Sequence, residues 1–516
     1  MAKVPVPQCG ALGVIKDSSA TEIAIGAWSD AKNIRFLDGA AMQFLGHGSV
    51  YNDPVTAPQY VMPCNVAGAR YWLYATAAGQ YVTSNASGVT THTDITHATA
   101  RAGTVNQWSG FVFGGIPVLN ANDGKAPMYW DQDLTHKFLD LPAWPAATSC
   151  RTLRQFKTLI VALGVTKAGV DYPFMVKWSN LAVPGSLPST WNEADQTQDA
   201  GEFDLAEGQD PIVDGLGLKD SLIVYKESST YAIDYIGGAF VLKSRKVFGM
   251  SGLLNKNCAV EFDAFHFAVT GSDIVIHDGF SASSVLDKKA RRFFFQNIDV
   301  ESLGKVFCFK NPFLNEIFVC YPSIGATSCD TALVYNFVDK TVSFRTLPAV
   351  NHAAYGPVDN SLSGNWNQDS DPWDTDLTAW NGPDFTPDTA RVMMGSANVK
   401  LYLLDASASF DGAIPDAYLE RTGLTFDAPE RIKLIKEIRP RIVGNVGGTV
   451  LVRVGWSDDV SKAPTYGTAM VYTIGQTLRL DPMTSGRYLA IRFESGTAFS
   501  WKLDAYTLEV TDGGEF

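Results

Sequence analysis

Short apolar strands broken by turn residues recur from one end of this chain to the other, with little helical periodicity between them. Tyr71-Trp72-Leu73-Tyr74-Ala75 is followed by Gly79 and then Tyr81-Val82-Thr83, which reads as a hairpin. Comparable phrases stand at 110–114 with 127–131, at 158–163, 221–225, 273–279, 315–321 and 399–405. A sheet that small cannot bury its own faces, so a series of them must stack on one another. That requirement points to an all-β chain whose largest part is β-propeller-like. A set of β-sandwiches is the alternative. A helix is expected only in short pieces, for example around Asp287-Lys288-Lys289-Ala290-Arg291-Arg292.

At 516 residues the chain is longer than one typical domain. The pattern divides it into a 1–50 extended segment and hairpin packing on the rest, a 51–417 propeller-like domain, and a 418–516 antiparallel β-sandwich. In the last part Ile432, Leu434, Ile438 and Ile442 are expected on one strand face, with Lys433, Glu437, Arg439 and Arg441 on the other. Val450, Val452 and Val454 alternate with Leu451 and Arg453, and Leu489, Ile491, Phe493, Trp501 and Leu503 continue the alternation. The apolar parity changes between Leu503 and Leu508, where a bulge would restore the inward face.

The chain carries 41 Lys plus Arg against 54 Asp plus Glu, a net charge of −13. This argues against a reader of nucleic-acid sequence and against attraction to an anionic membrane, though not against a wall that DNA slides past. Met1-Ala2-Lys3-Val4-Pro5-Val6-Pro7 lacks the apolar core of a signal peptide, and no apolar run is long enough to span a bilayer. Seven scattered cysteines (Cys9, Cys64, Cys150, Cys258, Cys308, Cys320, Cys329) form no Cys-x-x-Cys pair, so reduced, buried thiols in a protein made in a cytoplasm are expected.

Candidate chemistry is sparse. His92 and His97 lie five apart in a Thr-rich stretch, a poor spacing for a metal pair, and His277-Asp278-Gly279 reads first as a turn. No nucleophile elbow, phosphate loop or dinucleotide fingerprint stands in a suitable setting, so no enzyme and no cofactor is expected. Residues 360–388 differ from everything around them. Trp366, Trp373 and Trp380 are interspersed with Asp369, Asp371, Asp374 and Asp376, which reads as a long exposed insertion and a candidate interaction loop. Its carboxylates lack the spacing of a calcium loop. Aromatic faces beside acids also suit sugars, so a propeller lectin or adhesin is a second reading, with a glycosidase a third. Lys433, Lys436, Arg439 and Arg441 form a basic stretch in an acidic chain, a candidate subunit contact.

Near the N-terminus, Gly26-Ala27-Trp28-Ser29-Asp30-Ala31-Lys32-Asn33-Ile34-Arg35-Phe36-Leu37-Asp38-Gly39-Ala40-Ala41 reads as an extended hairpin. Trp28, Ile34 and Phe36 are its apolar anchors and Asp38-Gly39 its tight turn. This phrase resembles the opening of the tail nozzle (hub) proteins of short-tailed bacteriophages. Further phrases similar to that family follow in order: 172–180 with Pro188-Ser189-Thr190-Trp191-Asn192, then 218–233, 271–279, 485–493 and 501–506. Asn180 stands where the family has an acid, and the tryptophan insertion is outside the family pattern. The resemblance implies a β-propeller joined to a sandwich, six copies in a ring, and a place in the virion tail after assembly in the host cytoplasm. The implied partners are a head-to-tail adaptor, tail fibres or spikes, a needle or plug, and genomic DNA in transit. It implies no catalytic residues and no membrane insertion by this chain.

Overall fold

The computed structural model describes residues 2–84, 90–238, 240–249, 251–358, 390–497 and 499–515. Five four-stranded antiparallel sheets follow one another from Pro58 to Ser284. A seven-stranded sheet supplies two more, because its 17-residue strand Thr341–Pro357 is the last strand of one and the first of the next. The first strands of successive sheets lie side by side, and the second half of Thr341–Pro357 lies against Pro58–Val66. Among the described residues this is a closed ring of seven blades, numbered here one to seven in chain order.

The sequence explains why the blades stack. Their middle strands are apolar on both faces, as in Leu159–Lys167 and Glu316–Tyr321, where buried residues run consecutively. A strand with no polar face must be covered from both sides, and neighbouring blades provide the cover. Distinct apolar clusters fill successive gaps: Leu73, Trp108 and Leu119 between blades one and two, Leu153, Ile160 and Trp191 between two and three, Phe309, Phe318 and Tyr402 between six and seven. Closure of blade seven on blade one is tight. A Cβ on Gly356 would meet Pro63 at 2.5 Å, and one on Gly395 would meet Pro58 at 2.9 Å. Trp72 Nε1 donates across the same seam to the Pro357 carbonyl at 3.0 Å.

After residue 418 the alternating pattern gives a sandwich of two six-stranded sheets. Residues 418–516 do not build it alone, because the 1–50 segment expected to pack on the rest contributes strands to both sheets. Ile34–Leu37 and Ala40–Gln43 extend the sheet of Trp501–Glu515 and Arg431–Gly444, with Ala2–Val6 paired to Trp501–Glu515 as well. Asp30–Lys32 extends the opposite sheet by pairing with Tyr418–Leu424. Gly46–Ser49 then leaves the sandwich and becomes the outermost strand of blade seven, beside Lys400–Ser407. The N-terminal segment is therefore an arm shared by both domains. Asp38 (φ 52°) and Gly39 (φ 74°) both take positive φ, the conformation a two-residue hairpin turn needs. Asn33 (φ 55°) lets the arm cross from one sheet to the other, and its side chain accepts from the Thr346 N–H at 2.7 Å while donating to the Asp416 carbonyl at 3.0 Å.

The bulge inferred between Leu503 and Leu508 is present. Arg441 pairs with Ala505 and Ile442 with Leu503, leaving Asp504 unpaired and returning Tyr506 and Leu508 to the core. The short helix falls at Arg291–Gln296, following the basic run that suggested it.

Candidate functional site

The interaction-loop residues Trp366, Trp373, Trp380, Asp371, Asp374 and Asp376 lie outside the described residues. The basic strand is present as Arg431–Gly444, but its side chains are not arranged as the simple alternation implies. Register shifts at Ile432/Lys433 and Ile435/Glu437 reverse the parity. Ile435, Ile438 and Ile442 face the core, Ile432 and Leu434 are half-buried, and Lys433 is buried, donating to the Ala428 carbonyl at 2.7 Å. Lys433 is thus held by its own chain rather than presented on the strand's outer face. Lys436 is half-buried, and Arg439 and Arg441 are exposed. Arg439 is ion-paired with Glu437, which also faces Arg479 at 3.7 Å. The shallow depression here is lined by Lys3, Glu437, Arg439, Thr507 and Glu509, so its charge is mixed.

Arg35, between the apolar anchors Ile34 and Phe36, is not singled out by the sequence pattern. It is buried, and its guanidinium grips Glu316 of blade six through Nε–Oε1 at 2.7 Å and Nη2–Oε2 at 3.0 Å. The same Nη2 donates to Asp405 of blade seven at 2.6 Å, and Asp405 accepts from Arg345 at 2.6 Å. Arg345 in turn donates to the Leu45 carbonyl at 2.8 Å, and both guanidiniums lie over the Phe44 ring, at 4.6 and 4.9 Å. Burial opposes charge on both acids. Two guanidiniums outweigh it at Asp405, which is held below the usual carboxylate range. At Glu316 burial wins and the carboxyl is raised, although Arg35 pulls it down. Four charges in a dry site are tolerated because each oxygen is matched. The network ties the arm to two blades at once.

A second polar cluster lies at the propeller axis. Arg154 of blade three forms a two-pronged pair with Asp214 of blade four, at 2.8 and 2.7 Å, and also donates to Asn257 Oδ1 at 2.9 Å. Asn257 leads into blade five, and its side-chain amide donates to Asn106, ahead of blade two, at 3.0 Å. Asn106 Nδ2 donates to the Lys256 carbonyl at 3.1 Å and to the Val306 carbonyl, ahead of blade six, at 2.9 Å. Lys256 is itself buried, its amine donating to the carbonyls of Gln107 (2.8 Å) and Arg151 (2.5 Å), and burial lowers it to about 7. The bonds from Arg154 to Asn257, from Asn257 to Asn106 and from Asn106 to the Val306 carbonyl join non-adjacent blades, so they cross the axis.

Four buried histidines are structural as well. In one cluster His266 Nε2 donates to the Gly217 carbonyl at 2.8 Å, which leaves Nδ1 to accept from the Tyr225 hydroxyl at 2.7 Å. The Tyr225 oxygen then accepts from His277 Nε2 at 2.6 Å. Burial lowers His266 to about 4, and burial with the neighbouring His266 lowers His277 to about 4. Burial and Arg345 bring His47 to about 4, and burial and Arg154 bring His352 to about 3. Among the described residues no three His, Cys, Asp or Glu side chains are grouped so as to hold a metal ion. All seven cysteines are buried free thiols.

Four imidazoles that stay neutral in the fold and titrate near 6.5 when unfolded set a sign for acid stability. Between about pH 6.5 and 4 the unfolded chain binds the extra protons, so stability present above that range is lost as pH falls, by up to about 1.4 kcal/mol per pH unit for each histidine. Thermal melts at pH 7, 5.5 and 4.5 should fall steeply, and His352→Gln should flatten the slope. An unchanged slope in that variant would contradict the assignment.

No family model matches this chain, and no curated protein matches it. Among solved structures, the WD40 domain of coronin from Toxoplasma gondii is similar at 9% identity over 72% of this chain and 87% of that one, with a TM-score of 0.36. The extracellular domain of the putative hybrid two-component system BT4673 from B. thetaiotaomicron is similar at 9% identity, with a TM-score of 0.40 over 85% of this chain. The chain spans about half of that second protein, 55% of its length. Among the described residues no helix is long and apolar enough to cross a membrane.

Proposed function

We propose that this chain is a non-enzymatic structural subunit of the tail nozzle or hub of a short-tailed bacteriophage. Copies would form a closed ring, six by the resemblance, below the head-to-tail adaptor, continuing the DNA path and carrying tail fibres or spikes and a needle or plug. The observation that carries this reading is the agreement of two independent features. The phrases from Gly26 to Tyr506 occur in the order of that family, and the propeller joined to a sandwich is the architecture the family implies.

The side-chain bonds across the propeller axis sharpen the proposal. With Asn106, Asn257, Lys256 and Arg154 bonded across it, DNA has no path through one subunit. The channel must lie on the ring axis, between copies. A chain of net charge −13 would repel phosphate along that channel rather than hold it.

The test is reconstitution with the adaptor, read by mass photometry and electron microscopy. A closed cyclic oligomer stacked on the adaptor is the expected result. A chain that stays monomeric with the adaptor present would overturn the reading. Specific glycan binding abolished by Trp373→Ala, with no place in a virion, would favour the lectin.

A further inference from the structure

Beside helix α1 (Arg291–Gln296) lies a cleft of about 510 Å³, between Gly271-Ser272 of blade five and Leu303 ahead of blade six. Its apolar lining comes from Leu254, Phe295, Val300 and Leu303, and its rim from Arg291 and Arg292. Val300 is 83% exposed, a large apolar side chain left in solvent at the mouth. The volume is within the range of about 300–1,000 Å³ that takes a ligand group.

The charge at this cleft runs against the rest of the chain. Arg291 and Arg292 put two cations on it in a protein of net charge −13. Intramolecular acids compensate the rim only in part. Arg291 is half exposed, and its carboxylate neighbour Asp273 is 3.7 Å away. Arg292 has no side-chain ion pair among the described residues. Asp17 is occupied by the backbone N–H groups of Arg292 (2.7 Å) and Phe293 (3.0 Å), and Asp299 by those of Ser302 (3.0 Å) and Gly325 (2.9 Å). Glu301, nearby in sequence, is exposed.

We propose that this cleft is a docking site for a short acidic segment of another protein, anchored by one bulky apolar side chain. The apolar floor takes the anchor, and the two arginines take flanking carboxylates by charge-assisted hydrogen bonds. A nucleic acid fits less well. It needs a track of cations with successive aromatic platforms, whereas two rim arginines and the one ring of Phe295 give a point contact. The site is separate from the ring reading, which places no partner at α1.

The test uses the intact chain and a fluorescein-labelled peptide of alternating Asp and Glu around a central Leu-Trp pair, followed by fluorescence polarisation. Saturable binding is expected, weakened about tenfold or more by Arg291→Glu with Arg292→Glu and by Val300→Glu. Both variants change exposed side chains, and matching melting curves confirm that the fold is kept. Binding should vanish when Lys replaces the acids and weaken when Ser replaces Leu-Trp. No saturation by about 1 mM, equal binding to either variant, or equal binding of the Ser peptide overturns the proposal. Displacement of the peptide by single-stranded oligothymidylate also overturns it, in favour of a nucleic-acid surface.

Discussion

Arg35→Met is expected to be among the most damaging single substitutions in the chain, costing about 3–5 kcal/mol. The loss comes less from the attraction removed than from what stays behind. Glu316 would sit in a dry site without its two-pronged partner, and Asp405 would keep Arg345 alone. Arg35→Lys should not restore stability, because an ammonium cannot span two carboxylates in one plane and also lie over the Phe44 ring. Glu316→Gln placed in the Arg35→Met background should recover part of the loss, since it removes the stranded charge. In a chain of two domains the proper readouts are the onset of melting and protease sensitivity at blades six and seven. An Arg35→Met protein that melts with the wild type would refute the account.

The second large effect concerns Trp28. Its ring is buried against Phe493 and Tyr506, with centroids 6.1 and 6.0 Å away, and its Nε1 donates to the Cys9 carbonyl at 2.6 Å. Trp28→Ala would open a cavity between the two sheets and cost about 3–5 kcal/mol. Removing residues 2–49 goes further. It would strip Trp501–Glu515 and Tyr418–Leu424 of the strands that pair with them on one side, expose unpaired strand edges, and take the outer strand from blade seven. Limited proteolysis of such a truncation should cut readily within residues 418–515. If that region stays as resistant as in the full chain, the sandwich does not need the arm.

Much of this was legible from the residues alone. Asp38-Gly39 gives the turn, since few pairs accept two positive φ values. The distinction between consecutive apolar runs before residue 407 and strict alternation after 418 separates strands covered on both faces from strands covered on one. Two things were hidden. Bulges in Arg431–Gly444 reverse the parity without changing composition, so Lys433 reads as exposed and is not. Arg35 has the correct parity, opposite Ile34 and Phe36, but parity says nothing about what covers the second face. There the cover is blade six, whose Glu316 is 281 residues away. The sequence carries no local mark of such a partner.

The arm also has a place in time. A ribosome makes residues 2–49 before any of the strands they join, and Arg35 meets Asp405 only after 370 further residues. At roughly 5–20 residues per second that is a wait of about 20–75 s. Throughout it the Ile34–Leu37 hairpin has open edges and Trp28 has no Phe493 or Tyr506 to pack on. The nascent chain must therefore hold this segment in reserve until the strands it joins, hundreds of residues later, have been made.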